Sequence, residues 1–180
     1  MTCPRPGPKG ALYLSAVIFP GTFDPITEGH LDVIRRSLKL NLGDKLIVLI
    51  AENEAKVTLF SLAERKSQIK EALAGLENVS VDSFKGLVAD YAKTHGVKAI
   101  IRGTRNITDY MFEIEMAHYN SQICPGLETV FLPTKLEHTF LSSRAIKEIA
   151  RNGGSIDGLT PGFIAAQMKE RLEELKTNKI

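Results

Sequence analysis

The stretch AVIFPGTFDPITEGH, Ala16 to His30, decides the architecture. Ala16 to Phe19 is a short unbroken apolar run, as a strand covered on both faces carries, and Pro20-Gly21 ends it. From Gly29 or His30 the spacing changes to that of a helix. Leu31, Ile34 and Leu38 share one face, while Asp32, Arg35, Arg36 and Lys39 lie elsewhere.

Working outward, the strand-then-helix step repeats along the chain. Lys45 to Ala51 (KLIVLIA) reads as a second strand, apolar on both faces. Ser61-Leu62-Ala63-Glu64 matches a capping box, and the helix behind it carries Ile69, Leu73 and Leu76. Val79 to Val81 is a short third strand, and Leu87 to His95 a helix stopped by Gly96. Lys98 to Ile101 is the fourth strand, followed by a long helix from about Thr108 to Gln122 that Pro125-Gly126 ends. Glu128 to Leu132 is the fifth strand. Ser142 caps a helix to Arg151, and Thr160-Pro161 open a last helix through Leu175. This order predicts an α/β fold: a doubly wound five-stranded parallel sheet with additional C-terminal helices. No linker divides residues 16–180, which read as one domain, and residues 1–15 read as a disordered leader.

Composition narrows the function classes. Of the 180 residues 43% are apolar and 24% charged, a globular balance. Lys plus Arg number 23 against 21 Asp plus Glu, and a formal charge of +2 is too small for a general nucleic-acid coat. Cys3 and Cys124 form neither a disulfide framework nor a zinc knuckle. Arg5 and Lys9 ahead of the apolar stretch Ala11 to Phe19 imitate a signal peptide. Pro4, Pro6, Gly7 and Pro8 interrupt it, however, and cleavage near Phe19 would remove the first strand. No apolar run is long enough to span a bilayer. The expectation is a cytoplasmic protein without nucleic-acid or membrane partners.

In a doubly wound sheet, ligands bind beyond the carboxyl ends of the strands. After the first strand, Thr22 and Thr27 offer hydroxyls and His30 falls in the first helical turn, where free N–H groups and a partial positive charge favour phosphate. The loop is neither a Walker A sequence nor a G-x-G-x-x-G fingerprint. Lys56 follows the second strand, and alone would read as a solvated loop lysine. Arg102-Gly103-Thr104-Arg105 follows the fourth, two cations able to clamp phosphate. Ser142 and Ser143 collect hydroxyls at another helix start.

Thr27-Glu28-Gly29-His30 matches the (T/H)xGH signature of the nucleotidyltransferase superfamily. With PGTFDPITEGH (Pro20 to His30), FSLAER (Phe60 to Arg65), IIRGTRNITDYMFEIEMA (Ile100 to Ala117) and TFLSSRAIKEIA (Thr139 to Ala150), the chain resembles the bacterial phosphopantetheine adenylyltransferases from about Ala16 to Leu175. The resemblance implies a Rossmann-like nucleotidyltransferase fold and transfer of an adenylyl group from ATP to 4′-phosphopantetheine, yielding dephospho-coenzyme A and pyrophosphate. It implies that Thr22 touches both substrates, Phe23 contacts ATP, and His30 holds the triphosphate and stabilises the transition state. Lys56 and Arg102 would bind and orient 4′-phosphopantetheine, with Val88 along its pantetheine arm. Gly103, Thr104, Arg105 and Glu113 would line the ATP site with His138, Thr139, Phe140, Leu141, Ser142, Ser143 and Arg144.

Arg144 stands where many relatives carry a hydroxyl, and His138 where an aromatic residue is common. Mg²⁺ is the implied cofactor, held mainly by substrate phosphates, and a homohexamer is the implied assembly, built on the helix after Thr108. Two other readings stay open: a cytidylyltransferase or nicotinate-mononucleotide adenylyltransferase of the same superfamily, and a catalytically silent nucleotide-binding module.

Overall fold

A computed structural model describes residues 15–53 and 55–177. The expected leader, apart from Ser15, lies outside the described residues, as does Cys3. The order is β1 (Ala16–Gly21), α1 (Glu28–Lys39), β2 (Lys45–Glu52), α2 (Leu62–Ala72), β3 (Val79–Lys85), α3 (Val88–His95), β4 (Val97–Thr104), α4 (Ile107–Ile123), β5 (Glu128–Pro133), a 3₁₀ turn (Leu136–His138), α5 (Ser143–Arg151) and α6 (Gly162–Thr177). The five strands lie in the order β3-β2-β1-β4-β5, every neighbouring pair parallel. The doubly wound parallel sheet is therefore the observed architecture. The chain builds outward from β1 to β3, then crosses back so that β4 lies on the other side of β1. That reversal puts a crevice at the carboxyl ends of β1 and β4.

Period-two alternation sorts the strand side chains onto two faces. Val17, Phe19, Leu46, Val48, Ile50 and Ile101 join one core with residues of α1, α2, α5 and α6, including Ile34, Ile69, Ile146 and Met168. Ile18, Ile47, Leu49 and Ile100 join the other with Ala89, Tyr91 and Ala92 of α3 and with Cys124 and Leu127. Both cores meet the central strands, which is why these read as unbroken apolar runs.

Two strand boundaries differ from the sequence reading in ways that matter. β3 continues four residues past Val81, through Asp82, Ser83, Phe84 and Lys85. It is an edge strand, so these partly exposed positions tolerate polar side chains that hide the strand from an apolar count. β4 likewise runs to Thr104, so Arg102, Gly103 and Thr104 belong to the strand, opposite Phe131, Leu132 and Pro133 of β5, rather than to a following loop. Backbone pairing carries the strand through its charged residue. Gly103 lets α1 approach closely there, since a Cβ would come 3.0 Å from Cγ2 of Val33 and that methyl would have to give way.

Candidate active site at the β1–β4 crevice

The loop from Pro20 to Thr27 is held by its carbonyls. Arg102 Nη1 donates to Pro20 O at 2.6 Å, Arg65 Nη1 to Thr22 O at 2.8 Å, Ser143 Oγ to Pro25 O at 2.7 Å, and Thr160 Oγ1 to Ile26 O at 2.6 Å. Four side chains from β4, α2, α5 and the approach to α6 thus fix one short stretch of backbone. At Gly21 a Cβ would come 2.8 Å from the buried Phe23 ring, which would have to shift. Phe23, buried itself, packs edge-on to His30 with ring centroids 5.1 Å apart.

His30 opens α1 in a reciprocal cap. Its backbone N–H donates to Thr27 Oγ1 at 3.3 Å, while Thr27 N–H donates to His30 Nδ1 at 3.0 Å. A histidine thus takes the place that Glu or Gln fills in an ordinary capping box. Because Nδ1 accepts, the ring proton belongs on Nε2. Burial first, then the charges of Arg105 and Arg102, push the imidazole from its ordinary 6.5 down to about 4. At neutral pH His30 is therefore an uncharged ring with one fixed N–H donor.

The two arginines are oriented by carboxylates of α4. Arg102 forms a two-pronged pair with Glu113, through Nε to Oε2 at 2.7 Å and Nη2 to Oε1. Arg105 Nε donates to Asp109 Oδ2 at 2.8 Å and its Nη1 to Leu141 O at 3.2 Å. Lys56, exposed on the β2–α2 loop, reaches Thr22 Oγ1 at 3.5 Å. At the head of α5, Ser142 Oγ accepts Ala145 N–H at 3.1 Å, so this serine caps the helix as the sequence suggested.

Together these elements enclose a cleft of about 780 Å³. Of the residues expected from sequence, the cleft brings together Thr22, Phe23, His30, Lys56, Arg102, Gly103, Arg105, Glu113, His138, Leu141, Ser142, Ser143 and Arg144. Val88, Thr104, Thr139 and Phe140 are not among its walls. Val88 starts α3 and packs against the second core. Thr104 gives its carbonyl to Thr134, and Thr139 turns its hydroxyl to Lys135 O. Phe140 is 91% exposed, with its ring outside the cleft.

The sequence reading assigns no site role to Asp24, Asp109, Lys147 or Arg151, which also line the cleft. Asp24 and Lys147 are ion-paired, and spacing alone could not have found this, because 123 residues separate them. Among the described residues no cluster of three or more His, Cys, Asp or Glu side chains is arranged to hold a metal ion. The cleft carboxylates Asp24, Asp109 and Glu113 each face a cation of the chain.

The chain is similar to known proteins in ways that agree with this geometry. The cytidylyltransferase-like family pattern matches residues 18–149. A phosphopantetheine adenylyltransferase of Alkaliphilus oremlandii is 48% identical over 158 residues, covering 88% of this chain and 99% of the relative. One of Dictyoglomus turgidum is 46% identical over 156 residues, covering 87% of this chain and 96% of the relative. In fold, the nicotinic acid mononucleotide adenylyltransferase of Plasmodium falciparum, solved with NaAD, superposes with a TM-score of 0.63 at 14% identity, covering 91% of this chain and 96% of that one. Near-complete coverage at almost half identity leaves no room for a mere superfamily likeness: the chain belongs to the cytidylyltransferase-like nucleotidyltransferases and, among them, to the phosphopantetheine adenylyltransferases.

Proposed function

We propose that the crevice transfers the adenylyl group of ATP to 4′-phosphopantetheine, giving dephospho-coenzyme A and pyrophosphate, the penultimate step of coenzyme A synthesis. An oxygen of the acceptor's phosphate attacks the α-phosphorus of ATP. The new P–O bond forms as the bond to the β-phosphate oxygen breaks and pyrophosphate leaves. The nucleophile is already an anion at neutral pH, so no base of the protein is needed. Catalysis then rests on alignment and on donors aimed at developing charge.

The observation that carries this reading is the set of phosphate-binding groups facing one cleft from opposite sides of the switch point. His30 presents a neutral Nε2–H from α1, and Arg102 and Arg105 present guanidinium groups from β4 and the turn after it. His30 would donate to the oxygens that gain charge as pyrophosphate departs. Arg102 and Lys56 would hold the acceptor phosphate, and Thr22 lies within reach of both halves. Gly103, Arg105, Ser142, Ser143 and Arg144 would border the nucleotide, with His138 and Leu141 beside them. For Thr104, Thr139, Phe140 and Val88 the same roles require a ligand that extends past the cleft walls.

Mg²⁺ fits a donor set whose carboxylates already face cations, because the nucleotide's own oxygens can supply its ligands. When bound to the phosphates it would neutralise charge on the leaving group. Self-association is part of the proposal too. Among the described residues, no side chain of α4 is fully buried, yet Met111, Phe112 and Tyr119 are each more than half exposed. A helix of this kind supports a homo-oligomer, a hexamer by family likeness. The deciding experiment is pyrophosphate release with ATP or CTP against a panel of phosphorylated acceptors. Turnover with ATP and 4′-phosphopantetheine is expected; turnover with CTP, or with nicotinate mononucleotide alone, would redirect the assignment.

A further inference from the structure

The most enclosed charge beside the cleft is Asp24, only 2% exposed. Its Oδ1 accepts the backbone N–H groups of Leu59 and Phe60, both at 3.0 Å, and its Oδ2 accepts Leu59 N–H at 2.9 Å and the ammonium of Lys147. One carboxylate therefore ties the β1–α1 loop to the end of the β2–α2 loop and to α5. The grip uses both oxygens as acceptors: a neutral amide in their place would turn an NH₂ donor toward the Leu59 N–H and the Lys147 ammonium. Burying a carboxylate is unfavourable unless a cation answers it, and here Lys147 does so from the cleft wall.

We propose that Asp24 is a positioning residue for the transfer reaction, acting on the acceptor side through the loop that carries Lys56. Lys56 lies three residues before Leu59, on an exposed segment whose buried end is the pair of amides gripped by Asp24. On the other side, the loop's contact with Thr22 is the long 3.5 Å reach from Lys56 Nζ to Oγ1. Thr22 is itself fixed by Arg65 at its carbonyl. The Lys56 ammonium thus takes its place relative to Thr22 from Asp24, two residues further along the same loop. The proposal rests on the reading of Lys56 as a cation for the acceptor phosphate.

The test is a double-mutant cycle on the full chain, read in steady-state kinetics, with ATP affinity measured separately by direct binding. Asp24→Asn should lower kcat/KM for 4′-phosphopantetheine by about 10²-fold, the loss a small misplacement produces, with ATP affinity changed far less. Lys56→Ala should show the same acceptor-side pattern. Because Asp24 acts through the Lys56 loop, Asp24→Asn combined with Lys56→Ala should fall within about threefold of Lys56→Ala alone. Losses that multiply, or a loss borne by ATP affinity, would overturn the proposal. A purely structural role would lower Tm and weaken both substrates together, and that also counts against it.

Amide exchange in the unmutated protein supplies an independent arm should Asp24→Asn fail to fold. The Leu59 and Phe60 amides should exchange much more slowly than those of Val57 and Thr58, and equal rates would refute the grip. Absence of pyrophosphate release from the unmutated protein would refute the functional reading instead, a result distinct from either.

Discussion

α1 and α4 both leave the switch point, one after β1 and one after β4, and both send side chains to the same cleft. They are completed differently. α1 buries Leu31, Val33 and Ile34 against the sheet and delivers His30 from a closed cap. α4 is longer, at 17 residues, and buries none of them fully; its carboxylates Asp109 and Glu113 deliver nothing themselves but hold arginines of the neighbouring segment. A helix finished by its own chain can fix a donor rigidly. A helix left with an apolar surface fixes its site residues only as well as its own placement is fixed. The His30 donor is therefore fixed within its own helix cap, whereas Arg102 takes one of its two anchors, Glu113, from a helix whose outer face is exposed.

The largest effect is expected on α1. His30→Ala should lower turnover at saturating substrates by about 10²–10³-fold, the usual consequence of removing one donor to transition-state charge. ATP affinity by direct binding should move far less. Turnover within a few-fold of the unmutated protein would reduce His30 to a helix cap and erase the contrast.

Glu113→Gln on α4 should act through Arg102. Loss of one charged hydrogen-bond partner is worth about tenfold in the KM for 4′-phosphopantetheine. Arg102→Lys, which keeps the charge and loses the planar fork, should give the same acceptor-side change. A rise in KM for ATP instead would mean that the two half-sites are exchanged.

Phe112→Asp tests the unfinished surface directly. The side chain is 59% exposed, so the subunit's own stability should change by no more than about 0.5 kcal/mol. Self-association, measured by light scattering, should be lost. An unchanged mass would show that α4 is not the surface that assembles.

The smallest effect is a titration. His30 should stay neutral down to about pH 4 in the ligand-free protein, visible as a single ring resonance shifting there by NMR. Its folded pKa lies below the unfolded value, so the unfolded chain binds the extra proton first as pH falls. This contribution to stability is level above about pH 6.5 and declines between 6.5 and 4. His30→Asn should flatten that decline, and a ring titrating near 6.5 would contradict the desolvated cap.

The contrast between the two helices also separates what the sequence made legible from what it hid. The buried strands were legible because a parallel strand covered on both faces has no polar positions, as in KLIVLIA. His30 at a helix start, Ser142 as a cap and Gly96 as a stop were legible because their chemistry is local. The polar half of β3 was hidden because an edge strand needs no apolar pattern. The grip of Asp24 was hidden because its partners lie 35, 36 and 123 residues away, and a buried loop carboxylate leaves no periodic trace. Glu113 was placed at the site, yet its pairing with Arg102 follows from the crossing of β4 and α4, which no spacing records. The Thr27–His30 cap escaped the box pattern because histidine stands where Glu or Gln is sought.

The four carbonyls that hold the Pro20 loop also set the order in which the molecule becomes competent. Their donors lie 82, 43, 118 and 134 residues further along the chain. As the polypeptide emerges, β1, β2 and β3 can pair once about half of it has been made, since all three lie before residue 86. The loop at the end of β1 cannot take its final shape until Thr160 is available, and closing contacts of such separation is slow. A nascent or truncated chain that stops just short of residue 160 would carry all five strands and every residue that lines the cleft, with the loop still lacking one of its fastenings. The last of the loop's four fastenings to be synthesised is the hydroxyl of Thr160.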